Sequence, residues 1–370
     1  MKIGILTFSD FNTNYGSMLQ AYALNVFLEK QGHEVYFIKY REFNQTPKSV
    51  GLKNGVINNL KKIYFYFQKK YREKDISKTV ENFEIFKRKL KYTDLYISND
   101  DLKSISDEFD CFISGSDQIW NISCLGGLRK AYFLDFVEDS KLKIAYAASA
   151  GEYKFKKEDY GVISRLLENI DYISVRENEM IANLQCFTDK NIYNVIDPTF
   201  LLSKSDWEEI IPKSPLKEKY AVCYFVRRSK FGKHIVKKLS KRYEMPIYNL
   251  SDNNIYINGT NIKLISSGPL EFLGLINGAS YCVGTSFHLA AFSIIFEKPF
   301  VIIGSEHNRD RINNILRLTG QEKNFLTPLD DVQSILDCIF EQKQNKECLL
   351  DKIEFSKHFL VNAINDLEVK

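Results

Sequence analysis

Several features are scarce in this 370-residue chain, and each scarcity excludes something. Its seven cysteines, at positions 111, 124, 186, 223, 282, 338 and 348, include no Cys-x-x-Cys pair, so neither a zinc ribbon nor a dithiol redox centre is expected. An odd count without framework spacing, mostly inside apolar runs, points to buried free thiols in a reducing compartment. The five histidines, at 33, 234, 288, 307 and 358, show no metal-ligand spacing, and no metal site is expected. No uninterrupted apolar stretch reaches the roughly 18 residues of a membrane crossing. The amino-terminal apolar run is too short for a signal sequence and makes better sense as a first strand. Lys and Arg total 51 against 47 Asp and Glu, a net charge of only +4, so no global attraction to nucleic acid follows. A cytoplasmic protein with no nucleic-acid partner is expected.

What is present is an α/β pattern repeated twice. The length exceeds what one core usually supports, and a hydrophobic share of 44% suits two ordinary globular domains, 1–200 and 201–370. Residues 2–8 read as a buried strand, Leu19, Tyr22, Ala23, Val26 and Phe27 recur at helical spacing, Gly32 stops the helix, and Glu34–Tyr40 is the next strand. Further strands are expected at 109–114, 143–150, 171–175 and 191–196, with Pro198 restricting the backbone at the crossover. The second pattern begins with strands at 219–226 and 246–250 around a helix at 230–243. A helix opened by Pro269 and Glu271 follows, and helices near 331–343 and 347–365 close the chain.

One stretch departs from this pattern. Residues 52–74 carry Leu60, Ile63, Tyr64, Phe67 and Tyr71 on one helical face and a net charge of +6. Such a basic amphipathic helix suits either a solvated face packed on its own domain or contact with an anionic membrane. With the helix of Val80, Phe83, Phe86 and Leu90 it forms a helical insertion at about 52–92.

The residues that bear chemistry follow strands. At 280–300 a strand, a turn at Gly284 and a helix capped by Thr285 or Ser286 place His288 in the first helical turn. Unpaired N–H groups and the macrodipole favour an anion there. Ser286 is an ordinary cap in the plainer reading. Arg176 ends a strand, placed either to grip a phosphate or carboxylate or to pair with Glu177 at the surface. Arg309 and Arg311 follow the strand that ends at Gly304. Asn14 and Gly16 follow the first strand, where glycine lets a ligand approach the backbone. Ser116 and Asp117 suit sugar hydroxyls, with Trp120 as a stacking platform or, alternatively, a core residue.

Motifs in one order carry a resemblance: Asn14-Tyr15-Gly16 with Leu19 to Leu24; Gly115 to Trp120; Tyr132 to Phe136; Ser174-Val175-Arg176-Glu177; Asp197-Pro198-Thr199; Gly268-Pro269 with Glu271-Phe272-Leu273; Ser286-Phe287-His288; and Arg311-Ile312. Over nearly its whole length the chain resembles the polysaccharide pyruvyl transferases. That resemblance implies two Rossmann-like domains facing across a cleft in the glycosyltransferase GT-B manner, with the acceptor on the first domain and the donor on the second. It implies phosphoenolpyruvate as co-substrate, no cofactor, and transfer of the enolpyruvyl unit to two hydroxyls of a sugar, closing a cyclic ketal in a surface-polysaccharide precursor.

In that reading His288 is the general acid or base. Arg176, Ser286, Arg309 and Arg311 bind the donor, and Asn14, Gly16, Ser116, Asp117 and Trp120 bind the acceptor. A lipid-linked acceptor would account for the basic helix, with the protein peripheral at the inner membrane face. The chain departs from the family at Leu289-Ala290, where Gly-Thr is common. The competing readings are a GT-B glycosyltransferase using a nucleotide sugar and a non-catalytic sugar-binding protein of the same fold.

Overall fold

The computed structural model describes residues 1–9, 13–41, 77–214, 216–226, 229–251, 262–304, 309–333, 336 and 344–366. The basic segment 52–74, His307 and most of 331–343 lie outside the described residues, as does the side chain of Arg309.

Two wholly parallel sheets organise the chain. The first contains β1 (Lys2–Leu6), β2 (Glu34–Tyr40), β3 (Tyr92–Tyr96), β4 (Cys111–Ser114), β5 (Leu142–Ala148), β6 (Tyr172–Val175) and β7 (Ile192–Asn194), in the order β3-β2-β1-β4-β5-β6-β7. The second contains β8 (Ala221–Tyr224), β9 (Ile247–Asn249), β10 (Ile262–Leu264), β11 (Tyr281–Gly284), β12 (Phe300–Ile303) and β13 (Phe325–Leu326), in the order β10-β9-β8-β11-β12-β13. Strands covered on both faces need continuous apolar runs, and all residues of β4, β5, β11 and β12 are buried. In each sheet the order reverses between the first and fourth strands, so a crevice opens at β1/β4 and another at β8/β11. The loops that follow β1, β4 and β11 leave these strand ends, while Arg176 follows β6 and Arg311 follows β12.

Local sequence explains most of the frame. Asn14 caps the helix Tyr15–Lys30, its Oδ1 accepting from the backbone N–H of Gly16 at 3.0 Å and Ser17 at 3.3 Å. Gly32, at φ +85°, turns the chain out of it. Pro269 starts the helix Pro269–Gly278, with Glu271 accepting from Gly268 N–H at 2.9 Å. Three strands fall where no apolar run announces them. β3 and β10 are edge strands with exposed positions, and β13 is two residues long. The thiols also depart from expectation: Cys111, Cys223 and Cys282 are buried, but Cys124, Cys186 and Cys348 are exposed.

One cluster of buried side chains continues from Tyr15, Tyr22, Phe83 and Phe86 to Trp207, Phe272 and Phe292. Tyr15 crosses between the domains: its ring stacks on Phe272 at 4.3 Å and its hydroxyl meets Ser267 Oγ at 2.7 Å. The last helix, Glu347–Asn365, lies on the first sheet. Ser356 Oγ accepts from Ile196 N–H at 2.9 Å, and Lys352 Nζ donates to the Asn194 carbonyl at 2.7 Å.

Candidate active site

The two crevices face one another, and their glycine and histidine meet. Ser286 caps the helix Phe287–Ile295 by accepting from Leu289 N–H at 3.4 Å, which sets His288 in the first turn. The His288 ring lies over Gly16: a Cβ built on Gly16 would fall 2.0 Å from His288 Nδ1. Any side chain there would evict the imidazole. On the other side of the ring, Nε2 is buried without a hydrogen-bond partner among the described residues, 3.8 Å from Asp197 Oδ2.

Asp197 is fully buried and serves several partners. Its Oδ1 accepts from Thr199 Oγ1 at 2.8 Å and Thr199 N–H at 3.1 Å. Its Oδ2 accepts from Arg176 Nη1 at 2.8 Å and, more weakly, from Ser116 Oγ at 3.5 Å. Arg176 also donates through Nε to Glu177 Oε1 at 3.2 Å, and Ser149 Oγ donates to the same oxygen at 2.7 Å. Arg176 and Glu177 are therefore a buried pair, contrary to the surface reading. Asp117, held at φ +78°, accepts from Ser17 Oγ at 2.5 Å and so ties the first turn of the helix Tyr15–Lys30 to the loop after β4.

Arg311, in the helix Arg309–Arg317, is placed differently. Its Nε is buried with no hydrogen-bond partner, and no carboxylate pairs with it among the described residues. Its guanidinium carbon lies 5.8 Å from the Phe287 ring centre, and that of Arg176 lies 4.9 Å from it, so both cations lie against one ring. Arg176, Asp197, Phe287 and Arg311 border a cavity of about 260 Å³ that continues to Asn314 and Lys352.

Charge in this cluster is finely set. Burial pushes the His288 imidazole below its usual value; Asp197 and Asp117 pull it back in part, while Arg176 and Arg311 add to the depression. His288 is thus a neutral base near pH 7. Burial works against ionisation of Asp197, but His288 and Arg176 outweigh it and hold the carboxyl below its usual range. With His288 neutral, Arg176 is the partner that acts at neutral pH. Burial and then Arg176 lower the affinity of Arg311 for its proton, though a guanidinium remains charged.

The structure brings together Gly16, Ser116, Asp117, Arg176, His288 and Arg311 from the sequence reading, and adds Ser17, Ser149, Glu177 and Asp197. Asn14 and Ser286 spend their side-chain oxygens on helix caps. Trp120 corrects the stacking-platform expectation: it is fully buried, stacked on Phe133 at 4.7 Å, with Nε1 donating to the Tyr132 carbonyl at 2.9 Å. Its core alternative is the one the packing matches. Leu289 and Ala290, where the chain departs from the family pattern, are also fully buried, so the departure alters packing in the core.

The model of the polysaccharide pyruvyl transferase family matches residues 14–307. Among solved structures, UDP-GlcNAc 2-epimerase from Methanocaldococcus jannaschii in complex with UDP-GlcNAc and UDP is 13% identical, with 99% of each chain covered and a TM-score of 0.52. The Rickettsia bellii UDP-N-acetylglucosamine 2-epimerase is 12% identical, covering 100% of this chain and 97% of that one at a TM-score of 0.52. The Neisseria meningitidis UDP-GlcNAc 2-epimerase bound to UDP-GlcNAc is 10% identical, covering 97% and 94% at a TM-score of 0.51. At such identity these likenesses establish the fold, two GT-B domains, and nothing further. No curated protein matches the chain.

Proposed function

The chain belongs to the polysaccharide pyruvyl transferase family, and on that footing we propose that it moves the enolpyruvyl unit of phosphoenolpyruvate onto two hydroxyls of a sugar in a surface-polysaccharide precursor. The observation that carries this reading is the convergence, across the cleft, of a neutral histidine with two arginines, one paired and one without an ion-pair partner among the described residues.

Phosphoenolpyruvate presents a phosphate and a carboxylate. Arg311, whose Nε has no partner among the described residues, and the remaining N–H groups of Arg176 supply charge-assisted donors for both. The backbone N–H groups at the start of the helix Phe287–Ile295 add a third anchor.

The reaction then needs balanced proton traffic. A proton added to the methylene carbon makes a methyl group and leaves an oxocarbenium-like carbon, which one sugar hydroxyl attacks with loss of its proton. The second hydroxyl forms the second C–O bond as the C–O bond to phosphate breaks; its proton balances the phosphate that leaves. His288 is the group in the cluster able to take and return a proton near neutral pH. The first domain, with Asp117 and Ser17 at the β1/β4 crevice, holds the sugar. A lipid-linked sugar, delivered at the inner face of an anionic membrane, is the acceptor we favour.

The test is phosphate release from phosphoenolpyruvate in the presence of a panel of sugar acceptors, with parent and His288→Gln proteins. Acceptor-dependent release by the parent that collapses in the variant supports the proposal. Equal release by a folded variant contradicts it.

A further inference from the structure

Asp197 lies between the cation that would grip the donor and the base that would move the proton. Its Oδ2 takes the Arg176 Nη1 hydrogen bond at 2.8 Å and also faces His288 Nε2 at 3.8 Å. Its Oδ1 is fixed by both the hydroxyl and the amide of Thr199, and Pro198 limits the backbone beside it. The carboxylate is fully buried, so it cannot contact bulk solvent and cannot swing away without breaking these bonds. His288 Nε2 has no other partner among the described residues, while Nδ1 lies over Gly16.

We infer that Asp197 is the positioning residue of this site, its charge 3.8 Å from Nε2 holding the imidazole in the Nε2–H tautomer so that Nδ1, on the Gly16 side, carries the proton that moves. The same carboxylate holds Arg176, so the donor grip and the proton carrier share one support. A carboxylate behind one imidazole nitrogen fixes the tautomer and stabilises the imidazolium that forms when the other nitrogen takes a proton. The groups that bear on the imidazole are Asp197, Asp117, Arg176 and Arg311; of these, Asp197 is the carboxylate within 4 Å. The inference rests on the assignment of His288 as proton carrier.

The experiment reads His288 directly by titrating isotope-labelled histidine in the ligand-free protein by NMR, with His288→Gln to assign the signal. The parent should show the neutral imidazole protonated at Nε2. In Asp197→Asn the His288 titration should move to lower pH by about one unit or more, as loss of an adjacent opposite charge requires, and the acid limb of the kcat profile should move with it. Should Asp197→Asn not fold, Thr199→Ala keeps the carboxylate and its charge but loosens its aim. A smaller downward shift with a lower kcat is then expected, together with a higher KM for the donor, because Arg176 shares the same support. An Nδ1–H tautomer in the parent, or an unmoved titration in whichever variant folds, overturns the inference. Because the titration needs no substrate, it stands or fails separately from the identity of the donor.

Discussion

Gly16 and His288, one from each domain, are packed so closely that a single added carbon on Gly16 would overlap the imidazole, 2.0 Å from Nδ1. This contact is the seam of the cleft: it joins the first turn of the helix Tyr15–Lys30 to the first turn of the helix Phe287–Ile295. Gly16→Ala should therefore displace His288 and lower kcat at least tenfold, at a stability cost of about 1–3 kcal/mol typical of overpacking. Gly161→Ala, where an added Cβ meets nothing within 4 Å, is the control, with kcat unchanged and stability equal or slightly raised. Steady-state rates and thermal melts of the two variants check both expectations.

The two arginines should separate stability from function. Arg176 neutralises the buried carboxylates of Asp197 and Glu177, so Arg176→Ala leaves them unpaired and should cost about 3–5 kcal/mol. Arg311 has no carboxylate partner among the described residues and its Nε is buried, so Arg311→Ala removes a buried cation that makes no ion pair among the described residues. Its melting temperature should equal or exceed the parent's, while donor affinity falls at least tenfold. Denaturant melts alongside donor titrations distinguish the two; a strongly destabilised Arg311→Ala would contradict this assignment.

Stability should also fall with acid in a way traceable to His288. Its folded pKa lies below the usual 6.5, so between those values the unfolded chain binds more protons than the folded one. The stability linked to His288 is then fully present above about pH 6.5 and is lost as pH falls below it. His288→Gln should have a flatter melting temperature between pH 7 and about pH 5 than the parent. Asp197 acts in a lower window, its contribution lost as pH falls below its usual 3.8. Parallel slopes for parent and variant over the upper window would count against a buried neutral His288.

How far the sequence reveals this follows from the range of each interaction. The cap at Ser286, the helix start at Pro269, the stop at Gly32 and the buried strands are local and readable, whereas the sequence reading gives Asn14 to the acceptor and only the fold shows it as a cap. Arg176, Asp197 and His288 lie on different elements, and nothing within a few residues of any one signals the others. Asp197 passed as the start of a crossover because a carboxylate before proline is ordinary in a turn, and only the fold reveals it as fully buried. Trp120 misled for the same reason: an aromatic after Gly-Ser-Asp looks like a sugar platform until Phe133 covers its face. The edge strands β3 and β10 carry too few apolar residues to stand out.

Tyr15 offers a test of the domain seam away from the chemistry. Tyr15→Phe keeps the stack on Phe272 but loses the hydroxyl contacts with Ser267, at 2.7 Å to Oγ and 3.1 Å to the carbonyl. A loss of about 1 kcal/mol is expected for the hydroxyl, and about 3–5 kcal/mol for Tyr15→Ala, which also removes the buried ring. Chemical denaturation of both variants checks the ordering.

We propose that the cavity bordered by Arg176 and Arg311, next to His288, takes phosphoenolpyruvate, and the most direct test is a thermal-shift titration of parent and Arg311→Ala with phosphoenolpyruvate and, separately, UDP-GlcNAc. A ligand at about 100 times its dissociation constant stabilises the native state by about 2.7 kcal/mol. Phosphoenolpyruvate should raise the parent melting temperature and shift that of Arg311→Ala clearly less, by no more than about 1.4 kcal/mol of stabilisation at a tenfold weaker affinity. A shift with UDP-GlcNAc and none with phosphoenolpyruvate would contradict the account.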